Sequence, residues 1–183
     1  WDISPDGLTY TFNIRKGVHW HNKAPVNGRE LTASDIEYSW QRMLGLGKFS
    51  EGEPGVHIKY FPELSEVESI TATDKWTVVF KLKQPTLGVL SDILSNNAGL
   101  VLSREVIEQY GDITDWRNVV GTGPFELTDW VEGSSWTYTK NPDYWGTDEK
   151  YPENRLPYLD KIRALITKDQ ATVLALMRTG KAD

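Results

Sequence analysis

The sequence predicts an α+β fold, with mixed but mostly antiparallel sheets and helices packed on them. Three observations predict it. Strand-like and helix-like periods are interspersed without strict alternation, which argues against a doubly wound parallel sheet. Two pairs of strand-like segments are each joined by a short turn, the mark of hairpins. Finally, 39% of the 183 residues are hydrophobic and 25% charged, ordinary proportions for a chain that buries the core of one large domain or two small ones.

Each element has its own warrant. After the turn signal Pro5-Asp6-Gly7, residues Tyr10, Phe12 and Ile14 alternate with Thr9, Thr11, Asn13 and Arg15, the period of two of a half-buried strand. Thr32 stands where a helix cap is needed and Asp35 follows three residues on. Ile36, Trp40, Met43 and Leu44 then recur at helical spacing until Gly45 and Gly47 stop the helix. Residues 45–62 are rich in Gly, Pro, Ser and Glu without any period, so they predict a long loop and a place to look for ligand contacts. Residues 67–72 and 76–82 read as a hairpin turning at Thr73, Asp74 and Lys75. Short helices are predicted over 87–94, despite Gly88, and over 103–110, ending at Gly111. A second hairpin carries Phe125, Leu127 and Trp130 on one arm and Trp136 and Tyr138 on the other, bending at Glu132-Gly133. Residues 161–166 form a further strand, and Asp169 caps a last helix bearing Leu174, Met177 and Arg178 before Gly180.

Composition narrows the function. Twenty Lys and Arg against 26 Asp and Glu give a net charge of -6, with no basic run to track a phosphate backbone, so nucleic acid is not expected as a partner. No apolar stretch approaches the roughly 20 residues of a membrane-spanning helix. The absence of cysteine excludes disulfides, thiolate metal sites and a cysteine nucleophile, and fits reducing and oxidising compartments equally. The chain opens at Trp1 without an initiator Met or signal peptide and stops at Asp183 just past a predicted helix, so a piece of a longer protein is expected.

Several constellations invite a chemical reading. His19 and His21, two apart, would face the same side of a strand and with His57 could supply imidazoles to a zinc or nickel ion. Against this, they flank Trp20 beside a turn and there is no HExxH, so neither metal nor cofactor is expected. Glu63, Glu66 and Glu68, and Asp143, Asp148 and Glu149, are carboxylate clusters that a hydrolase could use as an acid and base pair. No G-x-S-x-G, P-loop or dinucleotide fingerprint accompanies them, and the simpler reading is solvated loop charge; an enzyme is not expected. In Gly121-Thr122-Gly123 the following Pro124 lacks an amide donor and leads into a strand, which argues against a nucleotide cradle. Eight Trp and eight Tyr either fill a core or line a site for a flexible, partly apolar ligand. Trp40 and Trp76, in periodic elements, are expected in the core, whereas Tyr60 and Phe61 lie in the long loop, where exposed contacts are expected.

Five ordered motifs resemble one family. Trp1, Ser4, Asp6, Gly7, Tyr10, Thr11 and Phe12, followed by Arg15, Gly17 and Val18, resemble the W-x-x-S-x-D-G-x-x-Y-T-F-x-L-R-x-G-V signature of the family 5 extracellular solute-binding proteins. His21 and the stretch Leu31-Thr32-Ala33-Ser34-Asp35-Ile36 resemble its H-D-G-x-P-x-T-A-x-D-V segment, departing from it at Asn22-Lys23. Val120-Gly121-Thr122-Gly123-Pro124-Phe125 and Asn141-Pro142-Asp143-Tyr144-Trp145 resemble its V-G-T-G-P-F and N-P-x-Y-W pair, and Gly180-Lys181-Ala182-Asp183 its G-x-x-D ending.

The resemblance implies a periplasmic or extracellular receptor, lipid-anchored at the outer face of the membrane in the full-length protein. Its two-lobed fold is of the type II periplasmic-binding-protein kind and encloses a solute when the lobes close. On that expectation residues 1–120 form an accessory domain, and residues 121–183 form part of the first ligand-binding lobe. The expected partners are a peptide or other small solute and the permease subunits of an ABC importer, with the receptor a monomer. Tyr60, from its loop, and Gly121, Thr122 and Gly123, from a Gly-flanked turn that lets backbone approach a ligand or flex near a hinge, are the expected ligand contacts. The plainer account of these glycines is that they permit the turn into Phe125. Whether the cargo is a dipeptide, a longer peptide, a nickel complex or a sugar lies outside these residues.

Overall fold

The computed structural model describes residues 1–51, 62–94 and 100–182. Helices and antiparallel sheets share the chain, and the strands form two separate sheets.

The first sheet has four strands, β1 (Asp2–Ile3), β2 (Thr9–Asn13), β3 (Val67–Asp74) and β4 (Thr77–Leu82), in the order β1-β2-β4-β3. All pairings are antiparallel, and the register sets Tyr10 opposite Phe80 and Phe80 opposite Ile70. Because side chains alternate across a strand, this register gathers Tyr10, Ile70, Val78, Phe80 and Leu82 onto one buried face. Helix α1 (Ala33–Leu44) covers that face. Trp40 meets Phe80 edge-on, with ring centroids 5.3 Å apart, and Phe12 meets Phe80 the same way at 5.5 Å. Helix α2 (Val89–Leu94) adds Val89 and Ile93 to the same core.

The ends of α1 are set by local chemistry. At its start the Thr32 amide donates to the Asp35 carboxylate at 2.9 Å, one arm of a capping box. At its end Gly45 takes φ 65°, the left-handed conformation that closes a helix and that a side chain resists. Trp76 departs from its expected place in the core. It sits half-buried at the turn between β3 and β4, with the Lys75 ammonium 4.6 Å from its ring centroid, because β4 begins at Thr77, one residue later than its period suggests.

A second core joins the segment before α1 to helix α3 (Arg104–Tyr110): Val18, Trp20, Val26 and Leu31 pack with Val106 and Val120. From Val120 the chain passes through Gly121, Thr122 and Gly123 into the second sheet, formed by β5 (Phe125–Val131), β6 (Ser135–Lys140) and β7 (Lys161–Leu165) in that order, all antiparallel. Gly133, at φ 68°, makes the bend between β5 and β6, and Trp130 stacks on its cross-strand partner Trp136 at 5.4 Å. Helix α4 (Gln170–Arg178) follows, capped by the Asp169 carboxylate accepting from the Thr172 amide at 2.7 Å. Among the described residues, no helix is long and apolar enough to cross a membrane.

Candidate ligand-binding turn

The Gly121-Thr122-Gly123 turn is where three of the sequence motifs converge. His21 is buried, and its own amide donates to the Gly121 carbonyl at 2.7 Å. Its ring then grips the turn at two further points. The Gly121 amide donates to Nδ1 at 3.2 Å, and Nε2 lies 3.0 Å from the Gly123 carbonyl. An imidazole nitrogen that accepts from an amide carries no proton, so this geometry assigns the neutral tautomer in which Nε2–H donates to Gly123.

The Asn141-Pro142-Asp143-Tyr144-Trp145 segment holds the turn from the other side. Asn141 is buried; its side-chain amide donates to the Gly123 carbonyl at 3.2 Å and its backbone amide to the Pro124 carbonyl at 2.9 Å. Trp145 Nε1 donates to the Thr122 carbonyl at 3.1 Å, and Lys23 Nζ to the Val119 carbonyl at 3.2 Å. The carbonyls of Gly121, Thr122 and Gly123 are therefore all taken by the protein itself. The amides are not: among the described residues, those of Thr122 and Gly123 donate to no protein acceptor. What the turn offers a ligand is thus hydrogen-bond donors, suited to a carbonyl or carboxylate oxygen. A Cβ on Gly121 would lie 3.5 Å from the His21 ring, ordinary contact distance, and one on Gly123 would meet nothing within 4 Å. Neither glycine has positive φ, so the turn does not demand glycine through backbone strain.

An ion-pair cluster lies elsewhere, between the start of α1 and α3. Arg29 forks onto two carboxylates, Asp35 at 2.6 and 2.8 Å and Glu105, to which Nη2 donates at 2.8 Å while Nε bonds the second oxygen. Ser103 adds a hydroxyl to Glu105 at 2.8 Å. The Arg29 guanidinium, together with burial working against it, leaves the Glu105 carboxyl held down to about 2. In return Glu105 first and Asp35 second hold the guanidinium more firmly protonated. This cluster ties the start of α1 to α3.

The other predicted residues fall elsewhere. His19 is exposed and its Nδ1 lies 2.8 Å from the Gly28 carbonyl, so the two histidines do not share a face as expected. The reason is that residues 18–21 form no regular strand; only an isolated bridge joins His19 to Glu30. Among the described residues no cluster of three or more His, Cys, Asp or Glu could hold a metal, and His57 lies outside them. Tyr60 and Phe61 also lie outside the described residues. Of the carboxylates, Glu63 stands beside Asp92, whose carboxyl is pushed up by burial and then by Glu63. Asp148 is half-buried, and the Tyr158 hydroxyl donating at 2.6 Å holds it below the usual carboxylate range. Sequence reasoning missed Asn141 and Trp145 as supports of the site, because they stood in a motif whose spatial partner only the fold reveals.

Residues 1–183 match the family described as bacterial extracellular solute-binding proteins, family 5 Middle. The chain belongs to this family. The family 5 chain is 32% identical over 197 residues to the dipeptide-binding protein DppE of Bacillus subtilis, covering all of this chain and 33% of that protein. It is 33% identical over 192 residues to a dipeptide-binding protein of Escherichia coli, covering 99% of this chain and 34% of that one. Among solved structures it resembles the ABC transporter-associated periplasmic binding protein DppA from Helicobacter pylori in complex with peptide STSA. There the TM-score is 0.77 and the identity 31%, over 99% of this chain and 35% of that one. The chain thus spans about a third of the length of the curated relatives it matches.

Proposed function

We propose that this chain is the part of a solute receptor that binds a peptide, or another small solute bearing carbonyl or carboxylate oxygens, for an ABC importer. The observation that carries the reading is the family match across residues 1–183, to relatives named as dipeptide-binding proteins. Residues 1–120, with the four-stranded sheet, are the accessory domain, and residues 121–183, with the three-stranded sheet, belong to the first ligand-binding lobe. The Gly121-Thr122-Gly123 turn joins them and presents the Thr122 and Gly123 amides to the ligand, while Tyr60 contributes a further contact. Backbone donors suit a receptor of broad specificity, because they recognise what all peptides share.

The receptor works without making or breaking a bond. It acts as a monomer at the outer face of the membrane, lipid-anchored there, and ligand capture shifts an open and closed equilibrium toward the closed form that the permease recognises. A ligand drives closure only as far as it binds the closed form better, so contacts from both lobes are required.

A thermal-shift series on the full-length protein tests this, with the tetrapeptide Ser-Thr-Ser-Ala, an oligosaccharide and a nickel chelate as alternative additives. A ligand at a hundred times its dissociation constant stabilises the native state by about 2.7 kcal/mol, a readily measured rise in melting temperature. The peptide is expected to produce it. A rise with the sugar or the chelate alone sinks the peptide assignment.

A further inference from the structure

We propose that His21 is a positioning residue for the ligand-binding turn: its backbone amide aims the Thr122 amide, and its ring, a neutral imidazole in the Nε2–H tautomer, clamps the peptide planes by which the chain enters and leaves the turn. The inference rests on the proposed reading of that turn for its bearing on ligand binding, although its geometric content stands apart from it.

Three bonds from one residue reach the turn from a hundred positions away in sequence: backbone amide to the Gly121 carbonyl, Nδ1 from the Gly121 amide, and Nε2 to the Gly123 carbonyl. The peptide planes that enter the turn, precede Thr122 and leave the turn are thereby constrained. A peptide plane fixed by its carbonyl fixes its amide too, since the two point in opposite directions across a planar bond. The plane whose carbonyl is Gly121 carries the Thr122 amide, so the bond from the His21 backbone aims one donor. The plane whose carbonyl is Thr122 carries the Gly123 amide, and Trp145 Nε1 holds that carbonyl at 3.1 Å. His21 Nε2 and Asn141 Nδ2 both bond the Gly123 carbonyl and so anchor the turn's exit. The ring does this only in one protonation state: a proton on Nδ1 would confront the Gly121 amide with a second donor. Burial of His21, which is 6% exposed, keeps water from substituting for either ring bond.

The test uses the full-length protein carrying this chain, with isotope-labelled histidine and three measurements on wild type, His21→Phe and His21→Asn. Nitrogen chemical shifts of the His21 ring, assigned by their loss in His21→Phe, are expected to report Nδ1 unprotonated and Nε2 protonated. Hydrogen exchange at the Gly121 amide is expected to accelerate about fivefold or more in His21→Phe, the value of one hydrogen bond, and to stay near wild type in His21→Asn, whose side-chain oxygen can stand where Nδ1 stood. Affinity for Ser-Thr-Ser-Ala, measured well below each variant's melting temperature, is expected to fall about tenfold in His21→Phe and to be largely retained in His21→Asn. An Nδ1–H ring, or an exchange rate at Gly121 that His21→Phe leaves unchanged, overturns the inference. So does unaltered affinity in a destabilised His21→Phe, which would reduce His21 to a core residue. If wild type binds no peptide at all, the proposed function fails instead, and the ring and exchange measurements still decide the role of His21.

Discussion

Asp35 is 3% exposed, yet it carries a charge, and a buried carboxylate is tolerable only because Arg29 and the Thr32 amide meet it. Replacing Arg29 by Met keeps the packing of the long side chain but leaves Asp35 without its cation. Breaking a buried pair in this way costs about 3–5 kcal/mol, and the one-third exposure of Arg29 lowers the expectation to about 2–3 kcal/mol. Urea denaturation of Arg29→Met against wild type reads this directly, and a loss below about 1 kcal/mol would mean that water already screens the pair. Half of this arrangement is legible in the sequence: Asp35 three residues after Thr32 is a capping signal. The other half is not, because Arg29 and Glu105 stand 76 residues apart and no period connects them. The same holds for His21 and the Gly121 turn, which were visible as motifs but not as partners.

At the level of elements, α1 and α3 are joined through Glu105, and the joint responds to pH. Glu105 has its usual value of 4.5 in the unfolded chain and about 2 in the folded one, so the folded state favours the ionised form. Its contribution is complete above pH 4.5 and is lost as the pH falls through about 2. After allowance for partial exposure, about 1–2 kcal/mol should disappear across that window. Denaturation curves from pH 7 to pH 2 should show the loss in wild type and a shallower one in Glu105→Gln; equal slopes in both would disprove the coupling. The sheet side of α1 depends on shape instead of charge. Phe80, 1% exposed and touched edge-on by Phe12 and Trp40, should cost about 3–5 kcal/mol when truncated to Ala, checked by the same denaturation. Existence and type of these elements were readable, since caps, Gly stops and alternation are local signals. Trp76 departs from its expected place because it lies in the turn just before β4, and His19 and His21 lie in no strand, where the period of two says nothing.

Across the whole molecule burial is uneven. The first sheet with α1 and α2 encloses Tyr10, Trp40, Ile70, Val78 and Phe80, whereas within β5, β6, β7 and α4 only Ser135 is buried. Ile162, Leu165, Val173, Leu174 and Met177 are all more than a third exposed, apolar side chains of β7 and α4 that the described residues leave uncovered. The sequence made both sheets legible but not this asymmetry, since alternation marks which residues would be buried and not whether anything lies above them. Stability within one chain varies with local burial, so the two sheets should open with very different free energies. In the 183-residue chain, amides of Val78 and Phe80 on the central strand β4 should exchange at least about a hundredfold more slowly than those of β7 and α4. If the proposed receptor reading holds, the full-length protein should slow exchange in β7 and α4 while leaving β4 little changed, because these exposed apolar side chains then gain a cover. Equal protection of β4 and α4 in the 183-residue chain would mean that the second half is held by interactions other than burial, and would remove the reason to expect anything docked there.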